Sequence, residues 1–193
     1  MNSLTSIVSI LLAGILTDNI VITKFLGVCP VLNAYKKASS VFYMSITMTV
    51  IMLISTAITY PIYTYLLYPK FTFLQTIIFI FIIVGIVQLI EILLKKFIKR
   101  IYDLIGDYLS IITTNCAVLG VTLLNVKNEL SFVGALFDAL AAGLGFMVAM
   151  LLFSGVRSKI EAADVPEFLK GLPITLIAAA LVALPFFGFA GIG

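Results

Sequence analysis

The chain contains no histidine and no tryptophan, and only 11% of its 193 residues are charged. The missing histidine removes the commonest metal ligand and the usual general base near neutral pH. Histidine-based catalytic triads, H-E-x-x-H zinc sites and histidine-ligated haem are excluded together. Soluble domains carry about 25% charged residues, so the low charge excludes an ordinary water-solvated surface. The net charge is +3, too small for the concentrated basic patch that nucleic acid requires. Cysteine is also scarce: Cys29 and Cys116 are the two. What is present is apolar, 62% of the chain with a mean hydropathy of +1.23, and lipid is the solvent that suits it. The start, "MNSLTSIVSILLAG", shows no basic n-region, so no cleavable signal is expected.

A spanning helix needs about 20 mostly apolar residues. The sequence predicts an all-α membrane protein with six such stretches. The first lies within Ser3 to Tyr35, and the second runs from about Ser40 to Leu67. The third covers Phe71 to Leu94 and the fourth about Leu104 to Leu124. The fifth covers Leu130 to Val156 and the sixth Leu172 to Phe189, with Pro173 suited to its first turn. The connections are short, so one polytopic domain over 1–193 is expected. Lys36, Lys37, Lys95, Lys96, Lys99, Arg100, Arg157, Lys159 and Lys170 fall in loops on one side, and Lys24 snorkels the same way. Only Lys70 and Lys127 fall on the other side. The basic side is expected in the cytoplasm of a bacterial inner membrane, with both termini outside.

The halves resemble each other. "CPVL" from Cys29 matches "CAVL" from Cys116, followed by Asn33 and Gly120 respectively. Each half, about 1–97 and 98–193, holds three spans. An odd number makes the halves enter the membrane from opposite sides, which is an inverted repeat of the kind found in transporters. The first stretch is too long for one straight span, so a break is expected at Gly27 to Pro30, where proline removes a backbone donor. The first and fourth helices are both expected to be broken near the cysteines.

The cysteines admit two readings. Free cysteine is commonly a small buried apolar residue. Alternatively, a zinc site or an iron–sulfur cluster takes about four ligands, and two repeat-related thiols are half a set. The other half would come from a second chain. Polar residues at membrane depth are costly, about 2.5–3.5 kcal/mol for a lone charge. Asp18 and Asn19 precede the expected break, and Asn115 adjoins Cys116. These three, with Gly27, Pro30 and Gly120, are candidates for groups around a cofactor or along an ion path, although capping is an equal reading for Asn115. Glu91 precedes Lys95 by four residues, the favoured order for a helix ion pair. Asp138 lies among Gly134, Ala135, Ala139, Ala141, Ala142 and Gly143, a composition that favours close helix packing.

The segments "KFLGVCPVLNAYKK", "QLIEILLKK", "ITTNCAVLGVTLLNV", "AAGLGF", "ADVPEFLKGLPIT" and "GFAGI" occur in order over nearly the whole chain. Together they resemble the RnfA/NqrE family, and the proline after Cys29 favours the RnfA branch of the Rnf ferredoxin:NAD oxidoreductase. The resemblance implies a [2Fe-2S] cluster shared within the membrane with a homologous RnfE-like subunit of opposite topology. Each subunit would give two cysteines, here Cys29 and Cys116. It further implies an RnfB-like iron–sulfur subunit, RnfG-like and RnfD-like flavin subunits and an RnfC-like subunit on the NAD side, with electron relay coupled to Na+ or H+ movement. The chain would then be one subunit of a translocase, with no complete active site of its own. One departure is "TDN" at Thr17 to Asn19, where the family pattern has Asn in place of Asp18. Rival readings are an NqrE-like subunit of the sodium-pumping NADH:quinone reductase, and a secondary transporter whose cysteines are structural.

Overall fold

The computed structural model describes residues 14–15, 19–27, 38–67, 74–97, 115–161, 166 and 169–190. Among them the α-helices are α1 (Ile20–Thr23), α2 (Ala38–Ile62), α3 (Gln75–Phe97), α4 (Cys116–Lys127), α5 (Phe132–Glu161) and α6 (Leu172–Ala190). No strand occurs among the described residues. Three helical stretches are long and apolar enough to cross a membrane: Val41–Tyr65, Gln75–Leu93 and Phe132–Ile160. They coincide with the second, third and fifth expected spans. α4 and α6 carry shorter apolar stretches, Cys116–Lys127 and Pro173–Phe186. Pro173 sits in the first turn of α6 as expected. The first and fourth expected spans are described only in part, as 14–15 with 19–27 and as 115 onward.

These runs become helices because an apolar medium leaves no water for a free backbone polar group. The hydroxyls obey the same constraint. Ser45 donates to the Val41 carbonyl at 2.8 Å, Thr49 to Ser45 at 2.9 Å and Thr59 to Ser55 at 2.7 Å. Pro61 lies inside α2, and two residues later the helix loosens into a π-helical segment, Tyr63–Leu67. The missing proline N–H is a physical reason for that change of winding.

α2 and α5 form the central pair. α2 contributes Met44, Met48, Ile51 and Met52 to the core, and α5 contributes Ala135, Ala139, Ala142, Phe146 and Ala149. The small residues let α2 come close: a Cβ on Gly143 would lie 2.6 Å from the Thr49 side chain. α3 and α4 pack beside α2, whereas α1 and α6 pack beside α5. The outer faces keep large apolar side chains uncovered, as at Phe81 (75% exposed) and Leu184 (64%). Such faces suit lipid or another membrane protein.

Candidate functional site

Two asparagines open two helices in the same way. Asn19 precedes α1 with φ −60° and ψ 109°, and Asn115 precedes α4 with φ −76° and ψ 115°. Each turns its side-chain oxygen onto the N–H two residues ahead: Val21 at 3.1 Å for Asn19, Ala117 at 2.9 Å for Asn115. Extended backbone followed by this bond is the usual N-cap arrangement, and asparagine is among the best residues for it. Both side chains are buried, at 0% and 4% exposure. The structure therefore makes both asparagines helix caps, and each directs its remaining amide into a neighbouring helix.

The two amides are not equally served. Asn19 Nδ2 donates to the Ile15 carbonyl at 3.1 Å and to the Gly145 carbonyl of α5 at 2.8 Å. Asn115 Nδ2 reaches the Met48 thioether of α2 at 3.8 Å. A thioether is a weak acceptor. The Asn19 cap is thus pinned to α5 by strong bonds, and the Asn115 cap is held to α2 more loosely.

α1 lasts four residues. Its end is a reversal in which the Leu26 N–H donates to the Ile20 carbonyl at 3.2 Å, with Phe25 at φ 52° and Gly27 at φ 86°. The irregular backbone expected at Gly27 to Pro30 therefore starts earlier, at Lys24. Its physical reason is the capped, very short helix before it. A Cβ on Gly27 would fall 2.9 Å from the Ala117 Cβ, 3.1 Å from Asn115 Oδ1 and 3.3 Å from Phe146 Cε2. A Cβ on Gly120 would lie 2.5 Å from Leu26 Cδ1. Glycine at both places lets the reversal lie directly against the first turns of α4.

Gly27, Asn115 and Gly120 are thus brought together, with Leu26, Ala117 and Phe146 between them. Asn19 stands at the other end of α1, against Gly145, the residue next to Phe146. Cys116 is the first residue of α4, and its thiol is free and exposed. Cys29, Asp18 and Pro30 lie outside the described residues. Met48, Gly145, Leu26 and Phe146 carry no signal in the sequence. An apolar or small side chain in an apolar chain is inconspicuous until its neighbours are known.

The sequence profile of the family described as "Rnf-Nqr subunit, membrane protein" matches residues 7–193. The chain belongs to the Rnf-Nqr family. Among its relatives is a component of the Na+-translocating ferredoxin:NAD+ oxidoreductase complex of Acetobacterium woodii, 42% identical over 187 residues, or 96% of this chain and 97% of that protein. A component of the ion-translocating oxidoreductase complex of Hahella chejuensis is 41% identical over 190 residues, covering 98% of both chains. Its Vibrio vulnificus counterpart is 37% identical over 190 residues, covering 98% of this chain and 99% of its own. All three are the RnfA-type member of their complexes. The resemblance inferred from the two cysteine motifs is thereby established at the level of family.

Proposed function

We propose that this chain is the RnfA-type component of an Rnf ion-translocating ferredoxin:NAD+ oxidoreductase, giving Cys29 and Cys116 to a [2Fe-2S] cluster shared with a homologous membrane subunit. The full-length similarity to RnfA-type relatives supports the assignment to that complex. The observation that carries the cluster is the position of Cys116. Its thiol is exposed on a chain whose outer faces are apolar, so it is open to a second chain rather than sealed in the core. It also occupies the first turn of a helix, where the partial positive charge of the N-terminus favours an anionic group. Soft thiolates are the ligands such clusters take. The donor set visible here fits.

Cys29 is two residues past Gly27, a reach of about 7 Å for extended chain. Gly27 in turn touches Ala117, the neighbour of Cys116. Covalent reach thus keeps both thiols in one region of the chain. When bound, the cluster supplies a one-electron carrier. The chain's own contribution is positional. Asn115 fixes the start of α4, Gly27 and Gly120 permit the close approach, and buried Ala117 and Val118 keep water away.

The same reading includes six spans in two inverted halves. Asn115 stands 96 positions after Asn19, and Gly145 stands 97 after Met48, so the paired contacts Asn19–Gly145 and Asn115–Met48 are related by nearly one shift. Each half then lends its first helix to the other, since α1 packs on α5 and α6 while α4 packs on α2 and α3. Electron relay between ferredoxin- or NAD-side and flavin subunits, and coupling to Na+ or H+, belong to this proposal.

The test is iron and acid-labile sulfide analysis with EPR on the purified complex carrying Cys116→Ser. The expected result is loss of one whole [2Fe-2S] cluster with the other subunits retained. Full iron content and an unchanged spectrum would assign Cys116 a structural role instead.

A further inference from the structure

A cavity of about 310 Å³ opens between the C-terminal end of α2 and the α4–α5 turn, lined by Tyr60, Tyr63, Thr64, Asn125, Val126, Glu129 and Leu130. Its lining is unusual for this chain. A carboxylate, an amide and three hydroxyl-bearing side chains gather where the surrounding helices are almost wholly apolar.

Two features show that the polar lining extends below the surface. Asn125 is 3% exposed, and its Nδ2 donates to the Ala135 carbonyl at 3.3 Å. Its Oδ1 is buried and has no hydrogen-bond partner. About one turn earlier on α2, Ser55 Oγ and Thr56 Oγ1 are also buried without partners. Ser45, Thr49 and Thr59 on the same helix all bond back to a carbonyl one turn earlier, so the idle hydroxyls are not a general property of α2. An unsatisfied buried polar group costs about 1–3 kcal/mol, and three in this part of the fold call for a polar guest.

The chemistry of the lining selects that guest. The side-chain acceptors it offers are oxygens, which suit a hard cation. One carboxylate, Glu129, balances a single positive charge. Lys127 is exposed on the neighbouring turn and does not line the cavity. The volume has room for a cation with several waters, at about 30 Å³ per water. Glu129 is held at φ 50°, a conformation uncommon outside glycine and asparagine.

We propose that this cavity binds a hard monovalent cation of the Na+ class, with the Glu129 carboxylate and Asn125 Oδ1 as its principal ligands. The hydroxyls of Tyr60 and Thr64 complete the shell directly or through water. Thr64 already donates to the Tyr60 carbonyl at 3.0 Å, which leaves its oxygen lone pairs free to accept. The site is distinct from the cysteine region. Asn115 and Asn125 are ten residues apart along α4, a rise of about 15 Å.

The experiment is 22Na+ equilibrium binding to the purified, oxidised complex, comparing wild type with Glu129→Gln, Asn125→Ala and Cys116→Ser. Glu129→Gln is expected to weaken one Na+ equivalent per complex at least tenfold, and Asn125→Ala at least threefold. Iron content should be unchanged in both. Cys116→Ser should retain that equivalent even where it loses iron, so the cavity and the cluster stand or fall separately. Because Glu129 is exposed and tolerant of substitution, its variant decides the matter alone if Asn125→Ala fails to assemble. Wild-type Na+ binding by Glu129→Gln would overturn the proposal. So would displacement of the bound Na+ by micromolar Ca2+, which would mark a divalent site.

Discussion

The two asparagine caps share a geometry and differ in what their loss should cost. Removing a cap costs about 1 kcal/mol. Asn19→Ala also strands the carbonyls of Ile15 and Gly145, at about 1–3 kcal/mol for each buried group left unpaired. Asn115→Ala loses a weak contact to a thioether. The assembled complex is therefore expected to melt markedly earlier with Asn19→Ala than with Asn115→Ala, and thermal unfolding in detergent would measure the gap. Equal losses would show that the Gly145 bond contributes nothing. Glycine offers a similar contrast. Gly27→Ala meets a left-handed backbone penalty of about 1–2 kcal/mol and a neighbouring Cβ at 2.9 Å. Gly120→Ala meets only the mobile tip of Leu26. Asn19, Asn115, Gly27 and Gly120 were legible in the sequence as residues of interest, because polar and flexible groups are conspicuous in an apolar chain. Their roles were not legible. Nothing in "TDN" or "TTNC" says that the asparagine oxygen turns onto its own backbone while the amide reaches another helix.

At the scale of elements, long apolar runs marked α2, α3 and α5 correctly, since a run of about 20 apolar residues has one use. The short α1 escaped notice because four helical residues followed by a reversal leave no periodic trace. The repeat was read from "CPVL" and "CAVL", which lie 87 positions apart, whereas the matched caps lie 96 apart. A four-residue string records composition, and cap geometry records the path of the backbone, so the two registers need not agree. The α2–α5 crossing is testable by itself. Gly143→Ala would push a methyl group into Thr49, a β-branched residue with little rotamer freedom. Overpacking of this kind costs about 1–3 kcal/mol. Adding Thr49→Ala should recover most of that loss, which a double-mutant cycle on thermal stability would detect. Simple additivity of the two losses would mean that the helices do not meet there.

For the whole molecule, orientation decides which compartment each site faces. The C-terminal ends of α3 and α5 and the start of α6 carry Lys95, Lys96, Lys159 and Lys170. The end that holds the α4–α5 turn carries Lys127. Basic residues in short loops remain preferentially in the cytoplasm, so the α4–α5 turn and the cavity beneath it should face outward. The exposed thiol of Cys116 begins the same helix at its deeper end, and the two proposed sites then lie in series across the bilayer. The expected outcome can be checked with single cysteines introduced at Lys99 and at Asn128 in a Cys29→Ala, Cys116→Ala background. In intact cells a membrane-impermeant maleimide should label position 128 and spare position 99 until the membrane is opened. The background lacks the proposed cluster ligands, so a parallel experiment on the native thiols is needed, with accessibility of an epitope appended to the C-terminus as its readout. Labelling of position 99 from outside, with the epitope protected, would invert the molecule and place the Glu129 cavity on the cytoplasmic side. The cation it binds would then be taken from the cytoplasm, and the order in which charge meets the electron path would reverse.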